Sequence, residues 1–485
     1  MNNYKVQILL NNLDKAYRGP IVPMKEWDTK IIPKTIKHVL KEHNLLGTLD
    51  EENPINTDPE LADEYFKAGW DLAIELGLYC EDTERVIHVT EEELYESMRN
   101  YQAVNILGDG QDTVIMKPRR PEDPYPPLLA ASLGIVCSEE NYIPLVEGIV
   151  KYNKLVDVLH GPTLATVFGR PIRSGTPYET LAGNYESELK KEALWRAGRP
   201  DMAKTGVNSA VTEFGHFGGA ASVAGRGNVT QSLCPVELKC TFSNFHRNIM
   251  GLNYGHKLRT GGFSYIGGYA GRPEGAAVAC IANDLLLTTI LQADYVSSYV
   301  YDIQLFGNCG RKAVWANSVS TQAVSRNTNI MRNKIVNETG GPCTEMFMYE
   351  AAVGLMNHSV SGASKTTQPR SAGGRFTDYI TPMECWWCGN VFKSTAGMSL
   401  KQANEIAKKI LPKYEHKLGK LTKEDQGLPV NECFDLANHV PKENYRELYT
   451  RVRNELIDLG MPLNNVFGEW YDEFLKKRNV YSYGF

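Results

Sequence analysis

The sequence has no long apolar run and no excess of one charge. No segment approaches the roughly 18 consecutive apolar residues that a membrane-spanning helix needs, and the N-terminus carries only a short apolar run at 6–10. The 485 residues include 52 basic and 57 acidic side chains, a net charge of −5, so nothing indicates a nucleic-acid surface. We therefore expect a soluble, unprocessed, cytoplasmic protein that acts on small molecules or binds other proteins.

A disulfide framework and a complete metal motif are also missing. The ten cysteines are scattered along the chain, several in apolar or small-residue contexts, which predicts reduced, buried thiols. Cys385 and Cys388 form a Cys-x-x-Cys pair, but no second pair with zinc-ligand spacing and no neighbouring histidine accompanies it. We expect no metal site, and we interpret the pair as packed thiols beside two tryptophans.

The first hundred residues are acidic and helical in pattern. The stretch "DPELADEYFKAGWDLAIELG" places apolar residues at helical spacing before a stop at Gly77. A second helix is expected from "TEEELYESMRNYQ", with Thr90 as its N-cap. We assign residues 1–105 to an N-terminal helical extension.

The middle of the chain alternates short apolar runs with helical stretches. This alternation predicts repeated β-α units around a mainly parallel sheet. One helix is well marked, because Thr176 and Glu179 have capping-box spacing and Leu181, Tyr185, Leu189 and Ala193 follow at helical spacing. After residue 397 the pattern is helical again. We therefore expect the β-α unit at 106–397 and C-terminal helices packed on it at 398–485.

Two short motifs carry candidate chemistry. In "GGPCTEM", Cys343 and Glu345 are placed to serve as nucleophile and general acid or base, or else to begin a helix whose dipole favours Glu345. In "TEFGHFGG", Glu213 and His216 can bind substrate or share a proton, and the alternative is a hydrogen-bonded structural pair. The small-residue stretch 198–215 itself has no obvious nucleophile.

A series of segments in order along the chain resembles the monomethylamine:corrinoid protein methyltransferases of methanogens. The segments are "YFKAGWD", "GLYCEDTERVI", "LGDGQDTV", "SGTPYETLAG", "AGRPDM", "VELK", "FSYIGGYAG", "GGPCTEM", "STAGMSL" and "NECFDL". The resemblance implies a TIM (β/α)8 barrel with added terminal helices and a homo-oligomer. It also implies methyl transfer from a small methylated substrate to the Co(I) corrinoid of a partner protein, with no tightly bound cofactor in this chain.

The resemblance also shows where this sequence departs from the family. Counting from "AGRP", the position of the family's pyrrolysine is Thr205, which cannot do imine chemistry. The family's acidic contacts fall on Asn208, on Gln231 and near Gly261, and a Gln and Tyr pair falls on Ile335 and Asn337. The family scaffold is thus expected without its amine-specific contacts.

These observations give one set of expected site residues. The expected catalytic residues are Thr205, Asn208, Gln231, Asn337 and Glu345, and the expected substrate-binding residues are Glu213, His216, Tyr265 and Tyr269. Tyrosines near the site loops suggest a methylated cation, such as a quaternary amine, bound over aromatic faces. Two alternatives stay open at this point: zinc-assisted alkyl transfer or hydrolysis on the same barrel, and a non-catalytic paralogue that binds the corrinoid protein.

Overall fold

Eight parallel strands close into a barrel. The structure is a computed structural model that describes residues 3–206, 211–220, 225 and 227–472. The barrel strands are β1 Leu128–Ala131, β2 Val158–Leu159, β3 at 204–205, β4 Val229–Leu233, β5 Lys257–Gly261, β6 Tyr295–Val296, β7 Asn333–Lys334 and β8 Lys365–Thr367.

Strand pairing runs in sequence order around the barrel. Single bridges join β3 to β2 and to β4, through Leu159 with Lys204 and Thr205 with Val229. A further bridge, from Val296 to Arg332, joins β6 to the start of β7, and the remaining neighbours pair in parallel. Because Lys365 of β8 pairs with Leu128 of β1, no edge strand is left.

A helix follows each barrel strand. These helices are α1 Glu139–Lys151, α2 Pro177–Arg196, α3 Glu213–Ala220, α4 Phe242–Asn253, α5 Pro273–Ile290, α6 Arg311–Asn327, α7 Glu345–Val360 and α8 Pro382–Ser394. Parallel strands alternating with helices in a closed ring define the TIM (β/α)8 barrel, so the predicted fold is confirmed.

The lower half of the barrel interior is apolar and closed. Its side chains are Ala130, Val158, Ala203, Val229, Tyr295 and Met331, and Leu107 and Met116 pack against them. The last two residues belong to the hairpin Asn105–Leu107 and Val114–Met116, which lies across the amino ends of the strands. With that end filled, chemistry is confined to the carboxyl ends of the strands, where TIM-barrel sites form.

Additional helices cover the barrel helices from outside. The N-terminal ones are Asn3–Arg18, Met24–Glu26, Trp27–Ile31 (a π-helix), Ile32–Glu42, Pro59–Leu76 and Glu91–Arg99. Pro59–Leu76 packs on α5 and α6, where Tyr65 meets Trp315 edge-on at 5.8 Å. The C-terminal helices Leu400–Tyr414 and Glu443–Asp458 cover α7 and α8, with Tyr449 against Trp387 at 6.0 Å.

The predicted ends of the N-terminal helices are confirmed. Pro59–Leu76 stops at Gly77, whose φ of +66° favours glycine. Thr90 caps Glu91–Arg99 in a full capping box with Glu93. Helix α5 is buried on every face because other elements cover it. Among the described helices none is long and apolar enough to cross a membrane.

Smaller elements complete the chain. Paired short strands are Leu78–Cys80 with Arg85–Ile87 and Lys239–Cys240, Val136–Cys137 with Thr163–Leu164, Thr166–Val167 with Arg170–Pro171, Phe263–Ile266 with Tyr299–Asp302, and Phe434–Asp435 with Val440–Pro441. Short helices are Gly110–Asp112, Ser371–Gly374, Glu415–Lys417, Glu424–Gln426 and Val430–Cys433. The pair Phe263–Ile266 and Tyr299–Asp302 follows β5 and β6 directly and continues the chain beyond their carboxyl ends.

The start of α2 differs from the prediction. Thr176 is the N-cap residue, but its hydroxyl donates to the carbonyl of Arg173 at 2.7 Å instead of capping the helix. The Glu179 carboxylate accepts from the Gly175 amide at 2.6 Å and from the amide and hydroxyl of Thr212, both at 2.6 Å. The predicted capping box is therefore wrong, because Glu179 is used to tie α2 to the segment before α3.

The buried face of α2 also differs from the predicted apolar stripe. Leu181 is exposed, whereas Glu186 and Lys190 are buried and paired at 2.8 Å. The Lys190 ammonium also donates to the carbonyls of Thr205 at 3.2 Å and Gly206 at 2.7 Å. This helix face thus fixes the carboxyl end of β3 through a buried cation.

We predict that Lys190→Met lowers the free energy of unfolding by about 3–5 kcal/mol, because it leaves Glu186 buried without its cation. Urea unfolding followed by circular dichroism measures the change. Lys191→Met is the matched control, since Lys191 forms an exposed pair with Glu188 at 3.2 Å and its loss is expected to cost less than about 1 kcal/mol. Equal effects of the two substitutions would contradict this role for Lys190.

Candidate active site

A layer of polar side chains lies directly above the apolar half of the barrel. Alternate residues of a strand share a face, so the positions two residues beyond the apolar layer also point inward. The inward positions at this level are Ser132, His160, Thr205, Gln231, Arg259, Ser297, Asn333, Lys365 and Thr367. All except Gln231 are buried.

Hydrogen bonds connect these side chains on one side of the barrel through Gln231. His160 places Nδ1 2.9 Å from the carbonyl of Ser132 and Nε2 2.8 Å from Gln231 Oε1. Arg259 Nη1 donates to the same Gln231 oxygen at 2.8 Å. One amide oxygen therefore links β2 to β5 across the carboxyl end of β3.

The connection continues on the other side of the barrel through Ser297 and Asn333. Arg259 Nη2 donates to Ser297 Oγ at 3.0 Å, and Asn333 Nδ2 donates to the same oxygen at 2.8 Å. Asn333 Oδ1 accepts from Lys365 at 3.1 Å and from Thr367 at 2.8 Å. We call the connected side chains of His160, Gln231, Arg259, Ser297, Asn333, Lys365 and Thr367 the interior ring.

The interior ring is rich in basic groups. Burial lowers the pKa of His160 well below its usual range, and the charge of Arg259 lowers it further. Burial and Arg259 likewise lower the pKa of Lys365 well below its usual range. Among the described residues no carboxylate forms an ion pair with Arg259 or Lys365, and the Lys365 ammonium lies 5.2 Å over the Tyr295 ring.

Thr205 lies at the carboxyl end of β3, between the strands that carry His160 and Gln231. Its amide donates to the Leu159 carbonyl at 2.9 Å, and its side chain is fully buried. The Thr205 hydroxyl has no hydrogen-bond partner among the described residues. The structure therefore brings two of the predicted catalytic residues, Thr205 and Gln231, to adjacent strands of the polar layer.

A second group of side chains follows the carboxyl ends of β5 to β8. The rings of Tyr265 and Tyr301 lie 5.6 Å apart, and both are half-buried. Arg370 Nη1 donates to Asn337 Oδ1 at 3.0 Å, and the Arg370 amide donates to Glu338 Oε2 at 3.0 Å. Burial raises the pKa of both tyrosines, and the charge of Arg370 opposes that rise. We call these five residues the mouth group; it contains the predicted residues Tyr265 and Asn337.

Glu338 of the mouth group and the neighbouring Glu237 are buried carboxyl groups. Glu237 Oε1 accepts from the Tyr265 amide at 2.6 Å, and burial raises the pKa of Glu237 to about 8. Burial also raises the pKa of Glu338 to about 8. One oxygen of each carboxyl group has no hydrogen-bond partner among the described residues. Such groups can hold a proton near neutral pH.

The other predicted residues are distributed around this centre. His216 is buried close to β3 and β4, since a Cβ built on Gly206 would lie 3.4 Å from its Cε1 and 3.6 Å from Gln231 Cβ. Glu213 begins α3 and accepts from Ser243 Oγ at 2.8 Å. Tyr269 is exposed, with Lys239 6.0 Å from its ring centre. Asn208 lies outside the described residues.

The motif at 340–346 begins a helix. The Thr344 hydroxyl caps α7 by accepting from the Phe347 amide, and Glu345 is in the first turn. Glu345 is about half exposed and pairs with Arg451 of the C-terminal helix. The structure therefore supports the helix-start interpretation of this motif and does not bring Glu345 into the interior ring or the mouth group.

The Cys-x-x-Cys pair lies in the hydrophobic core. Cys385 and Cys388 are fully buried on α8, and burial raises the pKa of both thiols well above the usual range. The described residues contain one group with metal-ligand geometry, the exposed His38, Glu42 and Glu75, and the cysteines are not part of it. The surroundings of these thiols match the packed-thiol interpretation.

Sequence reasoning missed most of the interior ring. His160, Arg259, Ser297, Asn333 and Lys365 were not among the expected site residues. A signal exists in "KLRTG" of β5, which carries two basic residues, and in "KTT" of β8, which carries one. Such a residue is exceptional inside a barrel, where branched apolar residues dominate.

Comparison with known proteins agrees with this fold. Residues 7–461 match the family described as monomethylamine methyltransferase MtmB. The chain belongs to this family. Curated relatives include MtmB3 of Methanosarcina barkeri (strain Fusaro), 28% identical over 455 residues, and MtmB of Methanosarcina mazei, 28% identical over 453 residues; each alignment covers 92% of this chain and 97% of the relative.

Solved structures give the same result. The crystal structure of the Methanosarcina barkeri monomethylamine methyltransferase (MtmB) matches with a TM-score of 0.88 and 26% identity, over 93% of this chain and 98% of that chain. The structure of the hydroxylamine MtmB complex matches equally well. The predicted membership of an MtmB-type methyltransferase family is therefore confirmed, and this MtmB-family chain is an enzyme.

The buried Glu338 should make stability depend on pH. Between the ordinary glutamate pKa of about 4.3 and the folded value of about 8, the folded chain keeps a proton that the unfolded chain releases, so stability falls as pH rises. Glu338→Gln should flatten this fall by up to about 1.4 kcal/mol per pH unit.

Urea unfolding midpoints measured from pH 5 to pH 9 test this prediction. Glu345→Gln is the control, because Glu345 lies on the surface and its substitution should leave the slope as in the unchanged protein. A Glu338→Gln slope equal to that of the unchanged protein would show that Glu338 is ionised throughout the range.

Proposed function

We propose that this MtmB-family chain transfers a methyl group from a small methylated compound, methylamine-like or a quaternary amine, to the Co(I) corrinoid of a partner protein. The observation that carries the proposal is Thr205, which stands at the carboxyl end of β3 among the polar inward residues of a barrel that matches MtmB over nearly its whole length. Relatives named for monomethylamine support the class of substrate.

Thr205 leads us to propose that the chain works without pyrrolysine. A threonine side chain offers a hydroxyl and a methyl group but no electrophilic imine, so it does not capture an amine covalently. A quaternary ammonium substrate needs no such capture, because its nitrogen leaves as a neutral amine without receiving a proton. The half-buried rings of Tyr265 and Tyr301 offer aromatic faces for its cation.

The residues present fit a corrinoid delivered from outside. The apolar hairpin closes the amino end of the barrel, whereas three residues of the mouth group, Tyr265, Tyr301 and Arg370, are partly exposed at the carboxyl end. In the transfer the carbon–nitrogen bond would break with its electron pair on nitrogen, and the partner's corrinoid, as the methyl acceptor, would supply the pair for the new bond to carbon. The chain's own part is to hold the methyl group in line and to exclude water, with the interior ring below the substrate and the mouth group around it.

Anaerobic mixing of the full chain with a Co(I) corrinoid and its carrier protein tests the proposal. We expect the corrinoid absorbance to change with at least one methylated amine, and mass spectrometry should show the substrate shortened by one methyl group. If amines, betaines and sulfonium compounds all leave the absorbance unchanged while the carrier still binds, the chain is a non-catalytic paralogue. Stoichiometric zinc with hydrolysis of the substrate would instead favour the zinc-assisted alternative.

Thr205→Val separates shape from hydroxyl chemistry. Valine keeps the shape of the side chain and removes a buried hydroxyl that has no partner among the described residues, so the unfolding free energy should rise by about 1 kcal/mol. Methyl transfer should stay within about tenfold of the unchanged protein, because the hydroxyl is not expected to take part in the reaction. A tenfold change in rate corresponds to about 1.36 kcal/mol of activation free energy.

Thr230→Val on the neighbouring strand is the matched control for stability. The Thr230 hydroxyl lies 2.8 Å from His256 Nδ1, so its removal should lower the unfolding free energy by about 1–3 kcal/mol. Complete loss of methyl transfer in a folded Thr205→Val protein would show that the hydroxyl takes part in the reaction.

A further inference from the structure

Arg259, like Lys365 and Arg119, is buried without a carboxylate partner among the described residues, whereas two other buried cations of the barrel are paired. Arg332 pairs with Asp284 at 2.6 Å, and Lys190 pairs with Glu186 at 2.8 Å, with all four side chains at most 1% exposed. Arg259 is equally buried, yet it donates only to the neutral oxygens of Gln231 and Ser297. Its Nε has no hydrogen-bond partner among the described residues.

The interior ring itself contains no acid, and among the described residues no carboxylate forms an ion pair with Arg259 or Lys365. Burying an uncompensated ion costs several kcal/mol even after relaxation. Arg259 and Lys365 lie in one hydrogen-bonded ring, so a single oxyanion there would offset the cost of burying both, whereas Arg119 lies outside the ring.

The hydrogen bonds of His160 lead to the same conclusion. Both ring nitrogens face oxygen atoms, the Ser132 carbonyl at 2.9 Å and Gln231 Oε1 at 2.8 Å, so both are satisfied only when both carry protons. The opposite orientation of the Gln231 amide is unfavourable, because it would place the NH2 group against Arg259 Nη1, which is also a donor. The two oxygen acceptors favour a charged imidazole, whereas burial and the charge of Arg259 lower the pKa of His160 and favour the neutral form. A bound anion would remove this conflict by stabilising the charged imidazole.

We infer that the interior ring is a binding site for a small oxyanion, and that the methylated substrate of this chain carries a carboxylate that binds there. The inference rests on the proposed function for the identity of the ligand as a methyl donor. We expect a ligand to enter beside β3, where Gln231 and Gly206 are partly exposed. Because Tyr265 and Tyr301 lie on the segments that follow β5 and β6, a ligand with its carboxylate at the ring would direct a methylated ammonium group towards them.

This arrangement selects a zwitterion over a simple amine. A carboxylate accepts charge-assisted hydrogen bonds from a guanidinium, which are about twice as strong as neutral ones. A compound of the same shape without a carboxylate would place its polar end against Arg259 but leave the positive charge of the guanidinium unbalanced. Discrimination therefore comes from the ring, while the tyrosines bind the cationic end that both compounds share.

Calorimetric titration of the full chain with matched compounds tests the inference. The probes are trimethylglycine and choline, which share a trimethylammonium group and differ in a carboxylate against a hydroxymethyl group. We expect trimethylglycine to bind at least tenfold more tightly. We also expect its binding to take up protons as His160 becomes charged, measured in buffers of different ionisation enthalpy. Equal affinities, or tighter binding of choline, would overturn the inference.

Arg259→Gln tests the residue directly, with Arg119→Gln as the matched control. Arg119 is similarly buried but lies outside the ring, where it donates to the carbonyls of Ser359, Ala363 and Asp123. We expect Arg259→Gln to lose the preference for trimethylglycine and Arg119→Gln to keep it. If circular dichroism shows Arg259→Gln unfolded, the affinity ratio and proton uptake of the unchanged protein decide the question.

Acetate and tetramethylammonium separate the two ends of the ligand. Acetate should raise the melting temperature of the unchanged protein, whereas tetramethylammonium should raise it less or not at all. If trimethylglycine binds but the corrinoid absorbance stays unchanged, the anion site stands and the proposed methyl transfer fails. If trimethylamine is demethylated as fast as trimethylglycine, the proposed methyl transfer stands and the anion site fails.

Discussion

The buried guanidinium of Arg259 is the constraint on which the site depends. A cation at this depth requires acceptors on both sides, and Gln231 and Ser297 supply them from the neighbouring strands. Gln231 in turn holds His160, and Ser297 holds Asn333, so the position of Arg259 sets the hydrogen bonds of the whole interior ring. Without a carboxylate in this ring, the charge is left for a ligand to balance.

The rest of the fold keeps that ring in place. The apolar layer and the hairpin at 105–116 fill the barrel below it, so no water column reaches it from the amino end. Lys190 holds the carbonyl of Thr205 from outside the barrel, and the terminal helices bury the outer faces of α5, α7 and α8. Close packing of this kind favours a preformed site in which binding energy is not spent on ordering side chains.

Some of this was predictable from the sequence. The helix Pro59–Leu76 follows from apolar spacing and the stop at Gly77, and the barrel follows from the family resemblance. The interior ring was missed because most barrel strands are two to five residues long, too short for a period of two to show. The Thr176 capping box failed because Glu179 found partners distant in sequence. Glu345 was expected at the site because a helix start and a site loop share the same residue types.

Restoring an acid inside the ring tests this account most directly. A carboxylate at position 231 would accept from both His160 and Arg259, whereas the present amide offers a single oxygen to both. The decisive measurement is the melting temperature of Gln231→Glu with and without trimethylglycine. The account predicts a higher melting temperature than that of the unchanged protein and no further rise with the ligand. A lower melting temperature together with an undiminished response to trimethylglycine would contradict it.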